Sequence, residues 1–194
     1  MRNHPALFLL ASLLAFTACS NITPKPVTGQ PDKFIDLPGY FKSEEKLLVQ
    51  AGGTMEKTVL LNGQSAQSTF DSKDSNAVQH LLKPFLDIDL NKPSLRDAYD
   101  TTSLADPFSG RKSVIYKSKG VQTNPEEITM ELDKNGTIQQ VTVQSFTSNM
   151  VYEYRQHLIY QRGKSILINT YQKIAFLSPK ELEISVKAGA KNQL

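Results

Sequence analysis

The sequence predicts an α+β fold: two N-terminal helices and a β-hairpin packed on a curved, mainly antiparallel six-stranded meander. Three observations carry that expectation. Apolar residues recur at helical spacing in two early stretches. Asn62-Gly63 sits between two short extended runs. From Gly110 onward, apolar and polar residues alternate with period two between short polar turns.

Before the first of these elements, Arg2 precedes an apolar run from Ala6 to Phe16, and small residues lead directly into Cys19. The run has the length of a signal-peptide core and is too short to span a bilayer. Phe16-Thr17-Ala18-Cys19 resembles the lipobox of bacterial lipoproteins, with Phe16 in place of the more usual leucine. That resemblance implies cleavage before Cys19 and lipid on its thiol. The next segment, through Lys33, holds Pro24, Pro26, Gly29 and Pro31, which forbid a helix. About fourteen residues at ~3.1 Å each give a tether of roughly 40 Å. Residues 1–18 are thus expected to be a cleaved signal, 19–33 a lipidated cysteine and tether, 34–188 one globular domain, and 189–194 a frayed tail. No acidic residue follows Cys19 closely, unlike sequences that resemble inner-membrane retention or surface-export signals. The expected address is the periplasmic face of the outer membrane.

Within the domain, Phe34, Leu37, Phe41 and Leu48 form one apolar stripe, predicting a helix over 36–50 that Gly52-Gly53 ends. Residues 57–61 and 65–70 flank Asn62-Gly63 as a hairpin, because both turn residues accept positive φ. Asp71 and Asp74 offer caps for a second helix over 75–86, with Val78, Leu81, Leu82 and Phe85 on one face. Residues 87–99 read as an irregular corner. Strands follow at 113–117, 127–133, 137–147, 151–161, 165–177 and 181–187. Their short connections require antiparallel neighbours.

Asp89-Leu-Asn-Lys-Pro-Ser-Leu-Arg-Asp-Ala-Tyr99, behind Phe34…Asp36-Leu-Pro-Gly-Tyr-Phe41 and an Asn-Gly hairpin, resembles an uncharacterised family of Gram-negative envelope lipoproteins. The resemblance implies an architecture and a location, and no activity.

Composition narrows the function further. Lys and Arg number 22 against 19 Asp and Glu; loss of Arg2 leaves 21 against 19, about +2. No block of like charge appears, so nucleic acid is not an expected partner. Acylation of the lone Cys19 would remove thiol chemistry. His80 and His157 stand alone, and neither Gly-x-Ser-x-Gly nor His-Glu-x-x-His occurs. Asp87, Asp89 and Asn91 open like a calcium loop, but Lys92 stands where a glycine is needed and Ala98 where a bidentate glutamate is needed. There is no tryptophan to serve as a sugar platform. The expectation is a non-catalytic protein without cofactor or metal, held to the membrane at Cys19, that binds an envelope protein or a lipid.

Two surfaces are candidates. Lys92, Arg96, Asp97 and Tyr99 cluster in the corner, suited to partner contact. Tyr152, Tyr154 and Tyr160 share one strand face, with Ile168 and Phe176 alternating alongside. These five would either fill the core beneath the helices or line a cavity for an apolar ligand.

Overall fold

The computed structural model describes residues 33–120 and 123–189. Cys19, the lipobox and the tether up to residue 32 lie outside the described residues, as do 190–194 of the expected tail. Among the described residues there are two helices and nine strands, and all nine strands form one antiparallel sheet.

Helix α1 spans Leu37–Ala51. The Asp36 carboxylate accepts the Gly39 N–H at 2.9 Å, Pro38 occupies the first turn, and Gly52, at φ 64°, turns the chain out. Strands β1 (Thr54–Leu61) and β2 (Gln64–Asp71) close through Asn62 and Gly63 at φ 48° and 84°. Helix α2, Ser75–Leu86, is capped by Asp74, which accepts the Ala77 N–H at 3.1 Å. Next come β3 (Tyr99–Ala105), β4 (Lys112–Ser118), β5 (Glu127–Leu132), β6 (Ile138–Ser148), β7 (Tyr152–Gln161), β8 (Ser165–Ile174) and β9 (Lys180–Ala188).

The expected six-stranded meander with a hairpin packed on it is not what forms. The sheet order is β2-β1-β9-β8-β7-β6-β5-β4-β3, a β-rich fold with both helices on one face. Two pairings account for the difference. β1 pairs with β9 from Met55↔Ala188 to Leu61↔Leu182, so the hairpin extends the sheet. Asn62 fixes that register: its N–H donates to the Glu181 carbonyl at 2.9 Å, and its Oδ1 accepts the Glu181 N–H at 2.8 Å. At the other edge, β3 pairs with β4 from Tyr99↔Ser118 to Ala105↔Lys112. After Tyr99 this strand is exposed on both faces, so it carries no alternation for a sequence reading to find.

The core lies between the helices and the sheet. Phe41 and Phe85 meet Tyr160 at centroid distances of 5.2 and 6.2 Å, and Leu82, Leu158, Val141, Val143 and Ile128 pack around them, fully buried. One carboxylate enters this core. Glu44 of α1 accepts the Tyr160 hydroxyl at 2.6 Å and Arg162 Nε at 3.0 Å, tying the helix to the end of β7. Burying a charge is tolerable only with such partners.

Burial also raises the phenols of Tyr40, Tyr99, Tyr116 and Tyr160, Tyr99 to about 12 against an ordinary value of 10.0. The unfolded chain ionises these phenols first. Their contribution to stability is therefore intact below pH 10 and declines as pH rises from about 10 towards 12. Urea midpoints measured from pH 8 to 11.5 should be level and then fall, with the phenolate absorbance of these four tyrosines appearing together with unfolding. Phenolate absorbance from a chain still folded at pH 10.5, at the amplitude of all seven tyrosines, would contradict this.

Candidate functional site

The end of the sheet that carries Asn62 gathers most of the features of interest. The β6–β7 and β8–β9 turns lie there, and so does the corner between α2 and β3. On the helix side, α2, the corner and the ends of β6 and β7 enclose a cleft of about 520 Å³. Its walls bring together two residues that the sequence placed in separate surfaces, Lys92 of the corner and Tyr154 of β7. His80, Lys83 and Pro84 of α2, with its C-cap Asp87, form a second wall, and Asn124 and Pro125 a third. Ile88, Leu90 and Leu95 contribute apolar surface, while Ser145 and Gln156 belong to the sheet.

Several polar groups here already have partners. Lys83 pairs with Asp87 at 3.0 Å, one helical turn on. Asp89 accepts the Asn91 N–H at 2.9 Å. Asn91 in turn holds the start of the domain: its Oδ1 accepts the Lys33 and Phe34 N–H groups and its Nδ2 donates to the Phe34 carbonyl. The side chains of His80, Lys92 and Gln156 make no hydrogen bond to another described residue. Burial raises the Tyr154 phenol, against a bond with Thr170 that lowers it. The cleft thus offers an imidazole, an ammonium, an amide and a neutral phenol over an apolar lining. A polypeptide segment bearing a carboxylate suits that set.

Of the remaining corner residues, Arg96 and Asp97 hold Lys33 at the start of the domain, and the Asp97 side chain stays exposed. Asp97 pairs with Lys33 Nζ at 3.2 Å, and the Arg96 carbonyl accepts the same ammonium at 2.8 Å. Tyr99 is not available for contact as expected. It is 1% exposed, edges Phe34 at 6.1 Å, and donates its hydroxyl to the Pro125 carbonyl at 2.6 Å.

The expected tyrosine surface divides as well. Tyr160 and Ile168 are core residues, whereas Tyr152 and Tyr154 stack on each other at 6.3 Å at the start of β7. Phe176 leaves the surface altogether. β8 stops at Ile174, and Phe176 stands in the following turn at φ 65° with its ring in solvent. A left-handed backbone there breaks the alternation that would have aimed it at the core. The space beneath the helices is occupied by Phe41, Phe85 and Tyr160. Beside the last turn of α1 a crevice of 90 Å³ opens, well below the roughly 300–1,000 Å³ of a ligand pocket.

A second concavity, of about 620 Å³, lies on the helix-free face. Cross-strand rows line it: Phe146, Arg155, Tyr171 and Glu181 in one, Gln144, His157, Asn169, Glu183 and Leu60 in the next. The Arg155 guanidinium lies 5.8 Å from the Phe146 ring centroid and 5.6 Å from that of Tyr171, and pairs with Glu153 at 2.6 Å. These neighbours went unseen in sequence because they come from separate strands. Their one local signature is the alternation of Glu153, Arg155 and His157 opposite the tyrosines.

No protein-family model matches the chain, and no curated protein is significantly similar to it.

Proposed function

We propose that this protein is a non-catalytic lipoprotein of the Gram-negative outer membrane. Cys19 carries the anchor, the domain faces the periplasm, and its work is to bind another component of the envelope. The proposed contact is the cleft between the corner and β7. What supports this reading is the meeting of Lys92, His80, Tyr154 and Gln156 over an apolar lining, with Asp87 neutralised by Lys83 in the cleft wall and Asp89 bonded to the Asn91 N–H. Such a surface favours recognition of an acidic polypeptide segment. An enclosed lipid store has less support, since the interior under the helices is filled by aromatic side chains.

Photocrosslinking in intact cells tests the proposal. A benzophenone amino acid at Tyr154 should yield one discrete adduct with an envelope protein. Lys92→Glu should reduce that adduct at least about tenfold, as one misplaced charge in a desolvated contact does. The same probe at Phe108, exposed at the opposite end of the sheet, should give no such adduct. Cys19→Ala should abolish acyl labelling and release the protein from the outer-membrane fraction. Identical adducts from positions 154 and 108, or an adduct indifferent to Lys92→Glu, would sink the cleft assignment. Acyl labelling that persists without Cys19 would sink the anchor.

A further inference from the structure

Five apolar side chains are exposed together where two turns meet. The β6–β7 turn presents Met150 and Val151, 99% and 59% exposed, and the end of β8 with its turn presents Ile174, Phe176 and Leu177 at 41%, 105% and 61%. The turns are bonded to one another: the Ala175 N–H donates to the Val151 carbonyl at 2.8 Å. Each is also closed internally, by the Asn149 N–H on the Tyr152 carbonyl and the Leu177 N–H on the Ile174 carbonyl. They are therefore one braced tip and not two loose loops.

Phe176 sits at φ 65°, a region that bulky residues seldom adopt. The effect is to hold a phenyl ring outward where glycine or asparagine would be the ordinary choice. No charged residue occurs from Asn149 to Tyr152 or from Ile174 to Pro179. Just behind the tip stand Lys173 and Lys180, with Glu153 opposite Lys173 across the strands and in ion pair with Arg155. Tyr152 lies at the same level, opposite Ile174.

We propose that this tip is a membrane-contact site whose ligand is the boundary between headgroups and acyl chains of a phospholipid bilayer. The assignment goes beyond the proposed anchor and cleft and does not depend on either. Apolar and aromatic side chains at an extremity, a tyrosine just behind them and lysines at headgroup height are the order of groups that such a boundary selects. Shape favours lipid over a protein partner. A protein interface needs about 800 Å² per side with complementary relief, whereas a bilayer accepts a small convex wedge without a matching pocket. The chain also enters the domain at this end of the sheet, where Lys33 is bonded to Asn91, Arg96 and Asp97 beside the β3 end at Tyr99.

The absence of tryptophan from the chain makes the test direct. Phe176→Trp and, separately, Phe108→Trp are prepared in the full chain and bound to vesicles of phosphatidylethanolamine and phosphatidylglycerol, with and without brominated acyl chains. The apolar segment 6–16 or an acyl group holds the full chain on the vesicle in either case. The informative quantity is therefore the depth of the indole, not binding. Phe176→Trp should shift its emission to the blue and be quenched by brominated lipid at least about threefold more than Phe108→Trp, as expected for a side chain buried in the interface. Adding Met150→Asp should reverse both signals without changing the urea midpoint, since position 150 is fully exposed. Solvent-like emission from Phe176→Trp on vesicles, or equal quenching at the two positions, would overturn the proposal.

Discussion

Tyr160→Ala is expected to lower the stability of the domain by about 4 kcal/mol, within the range of ~3–5 for deleting a large buried aromatic. The side chain is 1% exposed and is shared by both helices through Phe41, Phe85 and Tyr40. Truncation leaves a cavity that the rigid strands β6 to β8 cannot close, and removes a hydroxyl from the Glu44 carboxylate. Tyr160→Phe isolates the second effect, because it keeps the ring and deletes the bond. A hydrogen bond to a charged group contributes roughly 1.5–3 kcal/mol, so the phenylalanine variant should fall between wild type and alanine. Urea unfolding followed by far-ultraviolet dichroism gives the three values. A loss below about 1.5 kcal/mol for Tyr160→Ala would mean that the space refills and that the packing described here is wrong.

The second large effect is at Glu44. Its side chain is 5% exposed, whereas Arg162 keeps 36% of its own exposure and so remains partly hydrated when its partner is lost. Removing one partner of a buried pair costs roughly 3–5 kcal/mol; the hydration of Arg162 argues for the lower end, about 3 kcal/mol for Glu44→Ala. Glu44→Gln retains the acceptor for Tyr160 and should cost about half as much. The joint replacement Glu44→Leu with Arg162→Leu should return most of the loss, since a well-packed apolar pair often equals a buried ionic one. If the joint variant is instead as unstable as Glu44→Ala, the carboxylate acts chiefly through Tyr160, and the guanidinium contributes little. Added salt should change these differences only slightly, because the charge is shielded from solvent.

Much of the fold was legible locally. Asp36 and Asp74 cap the helices that the apolar spacing predicts, Asn62-Gly63 makes the hairpin, and the six later strands fall within a few residues of their predicted bounds. β3 was not legible, since a strand exposed on both faces has no periodicity to show. Glu44 was only half legible. It stands three residues after Phe41 and four before Leu48, so helical spacing puts it, unlike Glu45, on the buried stripe; its partners Tyr160 and Arg162, more than a hundred residues on, have no local signature. The candidate surfaces fared unevenly for the same reason. Tyr99, Tyr154, Tyr160 and Phe176 are all aromatics in predicted corners or strands, yet one closes the corner, one walls a cleft, one fills the core and one stands in solvent.

Apart from β3, the sequence alone determined which segments would be helix, hairpin or strand, because caps, turn chemistry and side-chain period act over a few residues. It also supplied the lipobox reading of Cys19, which rests on a short contiguous motif. Only the tertiary structure decided that β1 would pair with β9, that the sheet would count nine strands, and that Lys92 and Tyr154 would face one cleft. Those contacts join residues tens to more than a hundred positions apart. Their selection depends on which apolar faces and unpaired strand edges can be satisfied together, and no local stretch of chain carries that information.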